Sequence, residues 1–369
     1  MREARSARRA FLISGISVSG LGAAVLASTA IGWGDSLHAQ ATEGAEITPV
    51  VATREEDADY VRPYGPRAPW NIPVHNLPRH EANDYYAWSL WNDAPSRPGN
   101  FNLTFESYTY PVYYAADATD WFPVSTTWAN SRINFHWIPW NEDWEPAPGT
   151  DGQVIILDPP TGREWNLFQV QGFVEDTVLA TNGSLVPGDY RTREVGFRPS
   201  RGAGIPYLAM LIRPEEIRAG VIQHALSLPI RNTSGEYYVA PATKLEGKRE
   251  GEGIPEGMRF ALDVSEEEIL EWAETLPEGQ TRRSGIIVAR ALRDYGWFVT
   301  DISGSAHFQF EANLTAGEEW RELGLAPQPH GDKLMPRDML DGLMTPERIY
   351  VIAPSDQYPP ELIAREFED

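Results

Sequence analysis

From Trp70 onward, short runs rich in Val, Ile, Phe, Tyr and Trp are cut every few residues by clusters of Gly, Pro, Asn and Asp. That punctuation limits the fold, because runs so short fit strands better than helices. The candidate strands are FNLTFESYTY, RINFHWIPW, GQVIILD, EWNLFQVQGF, AGVIQHALSLPI, EYYVAPAT, GMRFALDV, WFVTDIS and AHFQFEANL. ILDPPTGREW reads as a hairpin turn. Helix signals are few. RPEEIRAG has Pro214 in its first turn and Gly220 at its end, predicting a helix over 214–219. SEEEILEWAETL has Ser265 as cap with Glu268 three residues on, predicting 266–276, and RSGIIVARALRDYG, closing on Gly296, predicts 284–294. The pattern predicts a mainly β fold, an antiparallel β-sandwich or jelly roll with a few short helices, in one domain over 69–315.

The flanks read differently. Residues 1–41 resemble a twin-arginine export signal: Arg8 and Arg9 precede Phe11-Leu12 and an uncharged run from Ala10 to Gly34, with Ala39-Gln40-Ala41 as a small-x-small cleavage pattern. An uncleaved membrane anchor is the alternative, since about 20 apolar residues span a bilayer. Either way the chain is expected across the cytoplasmic membrane, periplasmic or extracellular. Residues 42–68 read as an extended linker. The segment 316–369, acidic and proline-broken, reads as an extension packed on the domain.

No cysteine is present, so thiolate metal sites, iron–sulfur clusters and cysteine nucleophiles are excluded. Removing residues 1–41 leaves 27 basic against 51 acidic side chains, a net charge of −24. Such a surface repels nucleic acid and anionic lipid. No Gly-x-Ser-x-Gly elbow occurs. No metal site and no cofactor are expected.

GIPYLAMLIRPEEIRAGVIQHALSLPI, YYVAPAT and IIVARALRDYGWFVTDISGS resemble, in that order, segments of an uncharacterised family of secreted bacterial β-sandwich proteins. The resemblance implies a large sandwich of the kind seen in polysaccharide lyases and lectin-like hydrolases, and it implies no activity. At YYVAPAT the family pattern has a larger aromatic before the proline and a histidine soon after, where this chain has Ala240 and Lys244.

Three candidate strands divide by alternation into a polar and an apolar face. RINFHWIPW sets Arg132, Asn134 and His136 against Ile133, Phe135 and Trp137; EWNLFQVQGF groups Gln169 and Gln171; AHFQFEANL groups His307, Gln309, Glu311 and Asn313. If these strands are neighbours, they form a sheet face of cations, amides and imidazoles suited to sugar hydroxyls. Eight of the thirteen tryptophans lie between residues 61 and 150, and Trp140 and Trp144, in a polar loop, are the candidate sugar platforms. A uronate β-elimination needs a cation, a base and an acid; Arg132, His136 and His307 are the candidate catalytic residues. His224 alternates with Ile222 and Leu226 and reads as a core histidine. The expected function is an exported carbohydrate-active protein that binds or cleaves a glycan. The alternative is a non-catalytic scaffold subunit, anchored by its leader and attached to a membrane protein complex on its extracytoplasmic face.

Overall fold

A computed structural model describes residues 62–94, 98–195, 201–246, 253–325 and 339–363. The expected leader, and the linker up to residue 61, lie outside the described residues. Among the described residues no helix is long and apolar enough to cross a membrane.

The short runs become short strands in three sheets. The largest has six strands in the order β2 (Val112–Tyr114), β5 (Val154–Asp158), β6 (Arg163–Val174), β7 (Thr177–Leu185), β3 (Asp120–Thr126) and β4 (Trp137–Trp140). The Pro159–Gly162 reversal joins β5 to β6 as an antiparallel hairpin, with Asp158 opposite Arg163. The next turn is tighter: Glu175 and Asp176 both take positive φ, at 49° and 56°, and close the β6–β7 hairpin in two residues. Those angles fit the right-handed twist of the flanking strands.

A four-stranded sheet has the order β12 (Ile349–Ile352), β9 (Arg259–Leu262), β10 (Trp297–Ile302) and β8 (Leu226–Ile230), and β1 (Asn102–Thr104) pairs with β11 (His307–Gln309). The protein is thus sheet-rich, mainly β. It is not wholly antiparallel: β2–β5, β3–β7, β8–β10 and β1–β11 are parallel ladders. Parallel neighbours need long crossovers, and the β8–β10 crossover carries β9 and two helices.

The three predicted helices are present. They are α2 (Pro214–Ala219), α3 (Glu266–Ala273) and α4 (Gln280–Asp294). Ser265 Oγ accepts from Glu268 N–H while Glu268 accepts from Ser265 N–H, the reciprocal cap read from the sequence. Gly296 has φ 65°, and a Cβ there would sit 1.9 Å from the Phe260 carbonyl oxygen, so only glycine can end α4 on β9. Two further helices were not predicted, α1 (Asn83–Asp93) and α5 (Asn313–Glu322).

One core cluster joins α3, α4 and α5 to the four-stranded sheet through Ile269, Val288, Trp320 and Phe260. A second lies between Val112, Ile155 and Leu157 of the six-stranded sheet and Phe298 of β10, with Tyr64 and Trp70 in it. The opposite face of the six-stranded sheet buries Val124, Ile138, Trp140, Ile156 and Leu167. Tyr64, placed in the linker, is buried and donates its hydroxyl to Glu164 at 2.5 Å. The boundary at 315 falls inside α5, and Leu340, Leu343, Ile349 and Val351 of the expected extension belong to the main core.

Candidate functional site

β10 is apolar except at its end, where Asp301 meets Glu246 from a loop. Glu246 Oε2 and Asp301 Oδ1 both accept from the Ile302 N–H, and Gly202 N–H donates to Asp301 Oδ2 at 3.0 Å. A Cβ on Gly202 would come within 2.2 Å of Glu246 Oε2 and 2.6 Å of Asp301 Oδ1. The two carboxyls therefore crowd over Gly202, and a side chain there would have to displace them. Surrounding protein first, and the adjoining Glu246 second, push the Asp301 carboxyl well above the usual carboxylate range. Behind them Glu256 is fully buried; its Oε2 accepts from Glu246 N–H at 3.2 Å and its Oε1 has no partner. Burial, with Asp301 adding to it, raises Glu256 to about 7.

Glu246 and Asp301 border a pocket of about 400 Å³. Its aromatic walls include Trp128, Phe168, Tyr110 and Tyr207; Asn166 and Asn182 add amides, and Lys244 adds a cation. Tyr110 and Tyr207 stack at 4.5 Å between ring centroids. Buried Arg201 sits beneath, 4.8 Å over the Tyr110 ring, bonding Ser227 Oγ, Gln309 Oε1 and the carbonyls of Pro206, Tyr207 and Ala209. A second pocket of about 250 Å³ shares Asp151, Gln153, Asp301 and Ile302 with the first, so the two form one cleft. Asp151 is raised from its ordinary value, mainly by burial and then by Asp301, against hydrogen bonds from Thr150 and Gln153.

The residues expected to carry chemistry divide sharply. His307 and Gln309 line the smaller pocket. Gln309 is bonded on both ends: its Oε1 accepts from Arg201 and from Ser227 Oγ, and its Nε2 donates to the Tyr108 carbonyl. Arg132 and His136 are exposed in the loop before β4 and line neither pocket. The strand expected over 132–140 begins only at Trp137, because Phe135 takes φ 63° and breaks the alternation. Phe135 and Trp137, expected inside, are 76% and 62% exposed, and only Ile133 is buried. Asn134 Oδ1 accepts from Thr126 N–H at 3.0 Å, which fixes the loop.

The other corrections have equally local causes. Gln169 has φ 50° and gives its N–H to the Asp151 carbonyl, and the β6–β7 register shifts between Val170 and Gly172. The bulge turns Val170 into the core beside Leu167. Gln171 bonds Thr181 Oγ1 at 3.2 Å. Trp140 is only 1% exposed and packs against Trp144, which stacks on Tyr113 at 4.7 Å; the intended platforms are core and core edge. Glu311 pairs with Arg213 and Thr315 Oγ1, and Asn313 begins α5 instead of continuing a strand. His224 is a core histidine as expected, held by Glu216 at 3.0 Å and the Ala225 carbonyl.

Sequence reasoning missed Asp301, Glu246, Arg201 and Asp151. Only Asp301 had a visible signal, a lone acid in the apolar run WFVTDI. No protein-family model matches the chain, and no curated protein or solved structure matches it.

Proposed function

We propose that the protein is an exported carbohydrate-active enzyme that binds a neutral glycan in the cleft and hydrolyses it by acid–base catalysis. The observation that carries this reading is the Asp301–Glu246 carboxyl pair on one N–H, with Asp301 pushed well above the usual carboxylate range beside a pocket of aromatic faces and amides. Asp301 gives its proton to the glycosidic oxygen as the bond to the anomeric carbon breaks. A water molecule adds its oxygen to that carbon and passes its proton to the Asp151 carboxylate. Asn182 and Lys244 supply hydrogen bonds to hydroxyls, and Trp128 and Phe168 supply apolar faces for the ring.

The acids at the cleft disfavour the uronate substrate that a lyase would take, since Asp151 and Glu246 stand where its carboxylate would go. Support for a lyase-like or lectin-like sandwich comes from the core cluster shared by the two larger sheets. Support for export is Arg8, Arg9 and the uncharged run that follows.

The test is hydrolysis of a panel of neutral polysaccharides by the parent, Asp301→Asn and Glu246→Gln. Loss of about 10²-fold to 10⁴-fold in rate is expected of Asp301→Asn with the fold intact. Undiminished cleavage by that variant would refute the mechanism. A second reading, the scaffold on an extracytoplasmic membrane complex, is favoured by the bare aromatics Phe135 and Trp137 on the β3–β4 hairpin. Pull-down of a membrane complex that is lost in Trp137→Ser would support it.

A further inference from the structure

The smaller pocket is built from polar groups that are not all paired among the described residues. His307 is 4% exposed; its Nδ1 bonds Ser305 Oγ at 2.9 Å, and its Nε2 has no partner. Gln153 is 6% exposed; its Nε2 donates to Asp151 Oδ2 at 3.1 Å, and its Oε1 has no partner. Buried polar atoms are almost always paired, so two unpaired ones in the wall of one pocket call for an explanation. Hydroxyl groups supply one, because each can donate to the Gln153 oxygen or meet either tautomer of the imidazole. The exposed ring of Tyr108 at the rim adds an apolar face.

We infer that the smaller pocket is a second subsite for an uncharged sugar residue, so that the cleft grips two linked residues with the bond between them at Asp151 and Asp301. This inference rests on the glycan reading of the larger pocket. Position carries it: the four residues common to both pockets include both proposed catalytic acids, so a disaccharide spanning the cleft puts its linkage at them. Charge restricts the ligand, since a carboxylated sugar would face Asp151. Burial pushes the His307 imidazole down to about 4, against smaller opposing pulls from the Tyr108 and Ser305 backbones. His307 is thus a neutral hydrogen-bonding group at working pH, and the role of base passes to Asp151.

Gly304 gives a test that spares the core. It lies on the rim of the smaller pocket, and a Cβ added there meets nothing within 4 Å. Gly304→Tyr should block the pocket in a folded protein, and His307→Asn should weaken it from inside. Calorimetric titration of the parent with glucose, cellobiose and cellotriose, and with the matching xylose and mannose series, reads the dissociation constant against chain length. For at least one series the parent should bind the disaccharide about tenfold more tightly than the monosaccharide. In Gly304→Tyr that ratio should collapse to about one, while Arg132→Ala, outside both pockets, should keep it. A parent that binds monosaccharide as tightly as disaccharide, or a Gly304→Tyr protein that keeps the ratio, would overturn the second subsite and leave the larger pocket standing. A parent that binds none of the nine probes would overturn both readings.

Discussion

Glu246 Oε2 and Asp301 Oδ1 share a single donor, the Ile302 N–H, at 3.0 and 2.8 Å. Two carboxylates on one N–H repel each other unless one holds a proton, and the fully buried Glu256 behind them adds a third acid. The cleft thus depends on protons for its stability as well as for its chemistry.

Stability should therefore fall as pH rises. A carboxyl whose folded pKa is raised binds more protons in the native than in the unfolded state, and the advantage disappears as pH climbs from its unfolded value to its folded one. For Glu256 that window runs from its ordinary 4.5 to about 7, and Asp301 acts in the same direction. His224 adds to them. Burial opposes its charge, but Glu216 outweighs that and raises it, so its contribution is lost as pH passes the raised value. His307 acts oppositely, gaining stability between about 4 and its ordinary 6.5, and is silent above. Melting temperature should thus decline between about pH 6.5, above which His307 is silent, and about pH 7, where Glu256 completes its titration, with each titrating carboxyl contributing at most about 1.4 kcal/mol per pH unit. Glu256→Gln should flatten that slope and exceed the parent in stability at the upper end. A slope unchanged in both Glu256→Gln and Asp301→Asn would place the titration elsewhere.

Arg201 has no carboxylate among its hydrogen-bond partners; its acceptors are carbonyls, Ser227 and Gln309. Truncation to alanine leaves these buried acceptors unsatisfied and takes the support from Tyr110. A loss of about 3–5 kcal/mol is expected in denaturant unfolding, against less than about 0.5 for the exposed Arg132→Ala. Equal effects from the two substitutions would contradict the burial of Arg201.

Elements whose signals are local were legible, and those set by tertiary contact were not. Pro214, Ser265 with Glu268, and Gly296 each act within a turn of their own helix, and all three helices were read, α2 with its bounds and α3 and α4 with one end displaced. α1 escaped because Tyr85 and Trp88 lie exposed beside buried Tyr86, Ala87 and Leu90, which blurs its apolar stripe. α5 escaped because its first residue continues the alternation of AHFQFEANL. The face of Arg132, Asn134 and His136 rested on strand geometry that one residue, Phe135 with positive φ, removes. The cleft was invisible for another reason. Asp151, Arg201, Glu246 and Asp301 come from four separate segments, and only the fold brings them together.

The loop before β4 separates a surface role from a structural one. Arg132→Ala and His136→Ala should change neither glycan cleavage nor stability by more than about 0.5 kcal/mol. Asn134→Ala removes the acceptor for Thr126 N–H and should cost about 1 kcal/mol without altering cleavage. A tenfold loss of activity in His136→Ala, with the melting temperature held, would return that histidine to the site.

Glu311, once a candidate for sugar binding, offers the sharpest test of what the interior tolerates. Its carboxylate is 4% exposed and pairs with Arg213, which also reaches Glu215 at 2.9 Å and the Tyr114 hydroxyl at 3.0 Å; Thr315 Oγ1 donates to its other oxygen at 2.6 Å. Burial raises Glu311 to about 6 although Arg213 pulls the other way, whereas Glu311 and Glu215 hold Arg213 above its ordinary value against its own burial. Removing one partner leaves the other charge in a dry site, and Glu311→Ala should cost about 3–5 kcal/mol. Replacing both, as Arg213→Met with Glu311→Leu, removes the stranded charge along with the pair and should cost much less than the two single substitutions summed. Denaturant unfolding of the four proteins in the cycle measures the coupling. Additive losses would mean that each side chain is held by its neighbours independently, and that Glu311 is free to serve a ligand after all.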